Sequence, residues 1–185
     1  GVVRRAYHSG TPAYGVGAGN ATMVWDETAK DELHTAAHNT MLSKTSDYGS
    51  GCSADGNIVI HESIYDEAVK ELVNVGGYLL SEEEQESVKK VMWDEECHRL
   101  ADSVAQSPQR MADLAGFSIP EDRKFLIAKG TGSFTTSYDD VWCREKLTTL
   151  LALHKYEGEV ENAVEIVKAI HSVGGKGHSV GIYSY

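Results

Sequence analysis

The stretch Thr45-Ser46-Asp47-Tyr48-Gly49-Ser50-Gly51-Cys52-Ser53-Ala54-Asp55-Gly56-Asn57-Ile58-Val59-Ile60-His61 organises the chain. A small, polar, glycine-bearing loop carries one cysteine and runs into Ile58 to Ile60, an apolar run bounded by turn residues that reads as a buried strand. A thiolate attacking a carbonyl needs an approach free of bulky neighbours, and Gly49, Ser50, Gly51, Ser53 and Ala54 leave one. The oxyanion that forms needs backbone N–H donors, and a glycine-rich turn can point its amides outward. Against this stands the ordinary behaviour of a single cysteine, which packs as a small buried hydrophobe. Context has to separate the two readings.

Working outward, the flanks alternate strand and helix. Ala21 to Trp25 reads as a strand; Thr28-Ala29-Lys30-Asp31 resembles a capping box, and Leu33, Ala36, Ala37, Thr40 and Met41 recur at helical spacing behind it. Beyond the central strand, Ser63 and Asp66 offer another cap, with Ile64, Ala68, Leu72 and Val75 on one helix face and Gly76-Gly77 ending it. Ser81-Glu82-Glu83-Glu84 opens a helix with Lys89-Lys90 in its last turn, as the helix dipole favours. Ser107-Pro108 starts the next and Gly116 stops it. Strands follow at Phe125 to Ala128 and Leu150 to Leu153. Then come a helix built on Val160, Ala163, Val164, Val167 and Ile170, stopped by Gly174-Gly175, and a closing strand from Ser179 to Tyr183. This order predicts an α/β fold, a three-layer αβα sandwich with a largely parallel sheet.

Composition bounds the partners. With 185 residues, 41% hydrophobic and 3 prolines, one well-filled domain is expected. A net charge of −11 disfavours nucleic acid and anionic lipid as partners, and no apolar run is long enough to span a membrane. Cys52, Cys97 and Cys143 are odd in number and far apart, which fits a reducing, cytoplasmic setting. No metal site is expected: His34 and His38 have ligand spacing but lack a third ligand, and read as a surface pair. Gly15-Val16-Gly17-Ala18-Gly19-Asn20 has neither the dinucleotide glycine spacing nor a phosphate-loop lysine, so it reads as a tight turn. The polar loop from Gly130 to Ser137 reads as a surface connection long enough to contact a substrate.

Four motifs occur in order across nearly the whole chain: Gly15-Val16-Gly17-Ala18-Gly19-Asn20; Ser43-Lys44-Thr45-Ser46-Asp47-Tyr48-Gly49 leading to Cys52; Arg144-Glu145-Lys146-Leu147 with Leu151-Ala152-Leu153 behind it; and Gly175-Lys176-Gly177-His178-Ser179. Together they resemble the catalytic domain of the CoA-acylating aldehyde dehydrogenases, the group that includes the aldehyde half of bifunctional aldehyde-alcohol dehydrogenases. The resemblance implies that Cys52 is the nucleophile, which takes a short aldehyde through a thiohemiacetal, with hydride passing to NAD, to a thioester that coenzyme A removes. It implies that the Cys52 N–H is an oxyanion donor, that Glu145 reaches the nicotinamide ribose, and that His178 lines the site. The glutamate-leucine-glycine-glycine pattern that supplies the base in hydrolytic relatives is absent near Gly15 to Asn20, which favours release to a thiol over water. Thr149 stands where many relatives have proline, and Ser50-Gly51 replaces a bulkier pair, which enlarges or repolarises the aldehyde pocket; the wording from Tyr48 to Ala54 leans towards sulfoacetaldehyde-type members.

On this resemblance, residues 1–185 are a catalytic domain lacking the family's N-terminal dinucleotide-binding domain. An apolar surface is then expected where that domain packs, and with it homo-oligomers. Two rival readings remain: a glutamate-semialdehyde-type reductase that uses the same cysteine on an acyl phosphate, and a catalytically incomplete fragment that binds a protein partner or regulates one. Hydride transfer needs both domains to hold the aldehyde carbon at the nicotinamide, so residues 1–185 alone should form little or no NADH from aldehyde, CoA and NAD, measured by absorbance. Robust turnover would overturn that expectation.

Overall fold

The computed structural model describes residues 2–15, 17–130 and 140–185. A short helix α1 (Val2–Tyr7) precedes β1 (Thr22–Trp25), α2 (Leu33–Thr45), β2 (Asn57–His61), α3 (Tyr65–Asn74), β3 (Gly77–Leu79), α4 (Glu82–Met92), α5 (Pro108–Ala115), β4 (Phe125–Lys129), β5 (Leu150–Tyr156), α6 (Val160–Val173) and β6 (Val180–Tyr183). The strands form one six-stranded sheet in the order β3-β4-β5-β2-β1-β6, and every neighbouring pair is parallel. The expected αβα sandwich is therefore present.

Alternation along the strands sorts the two faces. Trp25, Ile58, Ile60, Phe125, Ile127, Leu151 and Leu153 turn to one side, where α2 and α3 cover them. On the other side, Leu126, Ala128, Leu150 and Ala152 pack under α4 and α5, and Val24, Val59 and Tyr156 pack under α6. β2 is buried along its whole length, which explains why its apolar run shows no period. Among the described residues no helix is long and apolar enough to cross a membrane.

Several local expectations need correction. Asp26, not Thr28, caps the turn ahead of α2: its carboxylate accepts from the Thr28 amide (3.1 Å) and hydroxyl (2.7 Å), so Thr28 is spent as a donor and a 3-10 stretch, Glu27–Glu32, precedes the α-helix. Before α3 the cap is His61, whose ring nitrogen accepts from the Ser63 amide, and neither Ser63 nor Asp66 serves. Val75 falls just past the end of α3, and Val160 and Val164 of α6 are exposed, because its inward face is set by Ala163, Ile166, Val167 and Ile170. Strand β3 has no apolar run to announce it: Gly77, which helps end α3, is also its first residue. The segment 131–137 of the long polar loop lies outside the described residues.

Because all strands run the same way, the segments entering β1, β2, β5 and β6 meet at one edge of the sheet, where a buried polar network holds them together. The Lys146 ammonium donates to Asn57 Oδ1 at 2.7 Å and to the Trp142 carbonyl. His154 Nε2 donates to the same Asn57 oxygen at 3.1 Å, and Asn57 Nδ2 donates to Asn20 Oδ1 at 2.8 Å. Asn20 Nδ2 then donates to the carbonyls of Cys143 (2.7 Å) and Gly174 (3.1 Å), while the Asn20 carbonyl accepts from His171 Nε2 at 3.1 Å. Burial pushes Lys146 down to about 7, Lys44 to about 8 and His154 to about 3.

The sign of the linkage follows. Between about 7 and the ordinary lysine value the unfolded chain holds a proton on residue 146 that the folded chain has lost, so raising the pH through that window favours the folded state. Lys44 acts in the same direction. Urea unfolding at pH values from about 7 to 9.5 should show stability rising with pH, and Lys146→Met should flatten that rise. An unchanged slope in the variant would remove Lys146 from the account.

Candidate active site

Backbone strain and two anchors shape the cysteine loop. After α2 the chain turns through Asp47, Tyr48 and Gly49, all left-handed, with φ of 46°, 51° and 66°. For the first two this is a sparsely populated conformation that the surroundings must impose. Position 49 also demands glycine on space, since a Cβ there would stand 2.5 Å from the Thr148 carbonyl oxygen. At the far end, the Asp55 amide donates to Ser43 Oγ at 2.9 Å and its carboxylate accepts from Thr40 Oγ1 at 3.1 Å, which fastens the loop back onto α2. Burial raises the Asp55 carboxyl above the usual range.

Cys52 sits exposed on the crest of this loop. The loop's internal backbone bonds run from Ser50 to Asp47 and from Ala54 to Gly51, and among the described residues nothing accepts from the Cys52 N–H. The role of small buried hydrophobe belongs instead to Cys143, which is fully buried and whose thiol burial, reinforced by Asp140, pushes up to about 12.

Gly19 is where the predicted residues meet. A Cβ on Gly19 would lie 2.6 Å from Glu145 Oε1 and 2.9 Å from the Cys52 Cβ, so the carboxylate and the cysteine flank one glycine and no larger residue fits between them. Glu145 and Gly19 also line a cleft of about 250 Å³, together with Trp93, Cys97, Arg99 and Arg144. Trp93 is held edge-on to Trp142, with ring centroids 5.7 Å apart. His178 lies on the same edge of the sheet and is half-buried; its amide donates to the Gly175 carbonyl and its Nδ1 is 3.0 Å from Ser179 Oγ, and it is not part of the cleft wall. The structure thus brings Cys52 and Glu145 together at Gly19, while neither Cys52 nor His178 lines the cleft itself.

Several residues at this edge carried little or no signal in the sequence. Arg99 grips Glu145: Nη1 donates to its carbonyl at 2.6 Å and Nη2 to its carboxylate at 3.3 Å. Asn20 and Lys146 belong to recognised motifs, but their tie through Asn57 is visible only in three dimensions. Asp140, Cys143 and His154 bring three ligand-type atoms within 4.8 Å of one another, all three residues buried. His34, as expected, is a surface residue, 3.1 Å from Glu71.

No protein-family model matches the chain. Among characterised proteins it is 36% identical over 184 residues to the bifunctional aldehyde-alcohol dehydrogenase of Escherichia coli, covering 100% of this chain and 20% of that protein. It is also 36% identical over 188 residues to the sulfoacetaldehyde dehydrogenase (acylating) of Bilophila wadsworthia, covering 100% of this chain and 39% of that one. Among solved structures, an acetylating aldehyde dehydrogenase from Geobacillus thermoglucosidasius superposes with a TM-score of 0.90 at 36% identity, over 100% of this chain and 39% of its own. The chain spans between a fifth and two fifths of the length of these relatives. Across its whole length, then, it is homologous to one segment of the acylating aldehyde dehydrogenases.

Proposed function

We propose that the chain is the cysteine-bearing catalytic domain of a CoA-acylating aldehyde dehydrogenase, which converts a short aldehyde, CoA and NAD to acyl-CoA and NADH. The observation that carries this reading is Cys52, exposed on a pinned loop with its N–H unspent and set against Glu145 across Gly19. The Cys52 thiolate adds to the aldehyde carbon, and the oxygen that becomes negative takes a hydrogen bond from the Cys52 N–H. The nicotinamide cofactor, when bound, accepts the hydride that leaves this carbon. Glu145 fits the ribose of that cofactor chemically, as an acceptor on the wall of the cleft; the larger share of cofactor contacts is assigned to a dinucleotide-binding domain outside residues 1–185. The product is an acyl thioester on Cys52. The CoA sulfur then attacks its carbonyl carbon, a new C–S bond forms to CoA, and Cys52 leaves as thiolate. His178 is read as lining the approach on the same edge.

Two features support acylation and assembly. Gly15-Val16-Gly17-Ala18-Gly19-Asn20 holds no carboxylate to activate water, so a thiol is the better acceptor. β6 is the outer strand of the sheet, with Val180 and Ile182 exposed, and such an edge suits pairing with a second copy.

The acyl-transfer half of the reaction can be run backwards without the cofactor. On incubation with acetyl-CoA, the chain should gain one acetyl group on Cys52, located by mass spectrometry and absent from Cys52→Ser, while Cys143 stays unmodified. Acetylation by acetyl phosphate in place of acetyl-CoA would favour the acyl-phosphate reductase instead. No acylation of Cys52 by either donor would overturn the reading and favour a binding or regulatory role.

A further inference from the structure

We infer that Arg99 is a positioning residue of this site: it fixes the Glu145 carboxylate beside Cys52 and offsets its charge there. The inference rests on the reading of Cys52 as the nucleophile, and it concerns a residue that none of the motifs contains. The geometry is specific. Two nitrogens of one guanidinium hold Glu145 at its carbonyl and at Oε2, which leaves Oε1 as the oxygen turned to Gly19 and the Cys52 Cβ. A forked donor suits this task, since it fixes direction as well as charge.

The segment that delivers Arg99 is itself braced. Trp93 and Arg99 form an isolated antiparallel bridge, closed by Asp94 N–H to the His98 carbonyl at 3.0 Å and Leu100 N–H to the Met92 carbonyl at 2.8 Å. Inside the turn the Asp94 carboxylate accepts from the amides of Glu96 (3.0 Å) and His98 (2.8 Å), and Cys97 takes a left-handed φ of 60°. Trp93 anchors the base of the hairpin by burial and by its edge-on contact with Trp142. Both members of the ion pair are largely shielded, with side-chain exposures of 22% for Arg99 and 18% for Glu145, so the interaction is less screened than a surface pair.

The chemical need is clear. A carboxylate is wanted near the reacting sulfur as an acceptor for a hydroxyl-bearing ligand, yet an uncompensated carboxylate repels both a thiolate and the oxyanion formed from it. Arg99 removes the repulsion and keeps the acceptor. It touches none of the reacting atoms, so its action is through Glu145.

The test compares the rates at which Cys52 is alkylated by neutral iodoacetamide and by anionic iodoacetate, with sites and extents read by mass spectrometry. In Arg99→Met the unbalanced Glu145 charge should lower the iodoacetate-to-iodoacetamide ratio about three- to tenfold, as one unscreened charge within several ångströms would, and added salt should shrink the effect. Arg99→Lys should retain most of the wild-type ratio. Arg99→Met combined with Glu145→Gln should restore it. A merely structural role would change both rates together and leave the ratio alone. If Arg99→Met does not fold, Glu145→Gln alone carries the test, because an unopposed Arg99 should raise the ratio. An unchanged ratio in these variants overturns the inference. Failure of acyl transfer to Cys52 would overturn the functional reading separately, because the alkylation ratio measures only charge at the sulfur.

Discussion

The hydrogen-bond chain that runs from the Lys146 ammonium through Asn57 to Asn20 fixes the backbone at Gly19, and Gly19 sets how closely Cys52 and Glu145 approach. Each link joins a segment that enters a different strand: residue 146 leads to β5, Asn57 opens β2, and Asn20 precedes β1. Asn20 extends the tie to Cys143 and to Gly174 at the end of α6. A buried lysine is an unfavourable choice for this place unless its donors are used, and here the Asn57 oxygen and the Trp142 carbonyl use them. Apolar packing could hold the same segments together, but it is not directional. Polar groups with fixed donor and acceptor roles specify one register among the three strands, which a site of this size requires.

The site lies at the edge of the sheet where strands begin. In open parallel sheets, ligands commonly bind at the opposite edge, beyond the strand C-termini, where helix N-termini point their amides. Cys52, Glu145 and His178 all precede their strands. At this edge α2 arrives by its C-terminal end ahead of the cysteine loop and α6 by its C-terminal end ahead of Gly174, while α5 starts beside the segment entering β5, where the amides of Ala105 and Gln106 bond to Leu147 and Thr148. On the proposed reading, the sulfur of Cys52, its amide and the Glu145 carboxylate all belong to this edge.

How much of this could be read from the sequence varies with the physics of each part. Buried strands such as Ile58 to Ile60 and amphipathic faces such as Leu33, Ala36, Ala37, Thr40 and Met41 declare themselves, because one-dimensional spacing determines which face is wet. Cys52 and Glu145 stand out through motifs that keep residues in a fixed local order, and the structure sets the two on either side of Gly19. Caps were misread where two candidates compete over a few residues, as Asp26 and Thr28 do, since the turn geometry decides which side chain accepts and which donates. Arg99 was not legible at all: it lies 46 residues from Glu145 in sequence, in a hairpin with no apolar period, and only the tertiary fold brings them together. His178 shows the opposite limit. Its motif brings it to the same edge as Cys52, and its partner there is the neighbouring Ser179 hydroxyl.

Cys52 differs from Cys143 through backbone geometry more than through any side chain that touches it. Cys143 follows a buried turn, is closed over by α6 and neighbouring strands, and its thiol is pushed far from ionisation. Cys52 follows three consecutive left-handed residues and precedes the tie from Asp55 to α2; it is exposed, and among the described residues nothing accepts from its amide. Holding Asp47 and Tyr48 in that conformation costs roughly 1–2 kcal/mol each, and the cost persists because Gly49 packs against Thr148 and allows no relaxation. The strained turn is therefore a device for presenting a nucleophile with little side-chain cover. Its counterpart is that little of the chain's own side-chain surface covers the crest, and the Arg99–Glu145 pair stands beside it across Gly19.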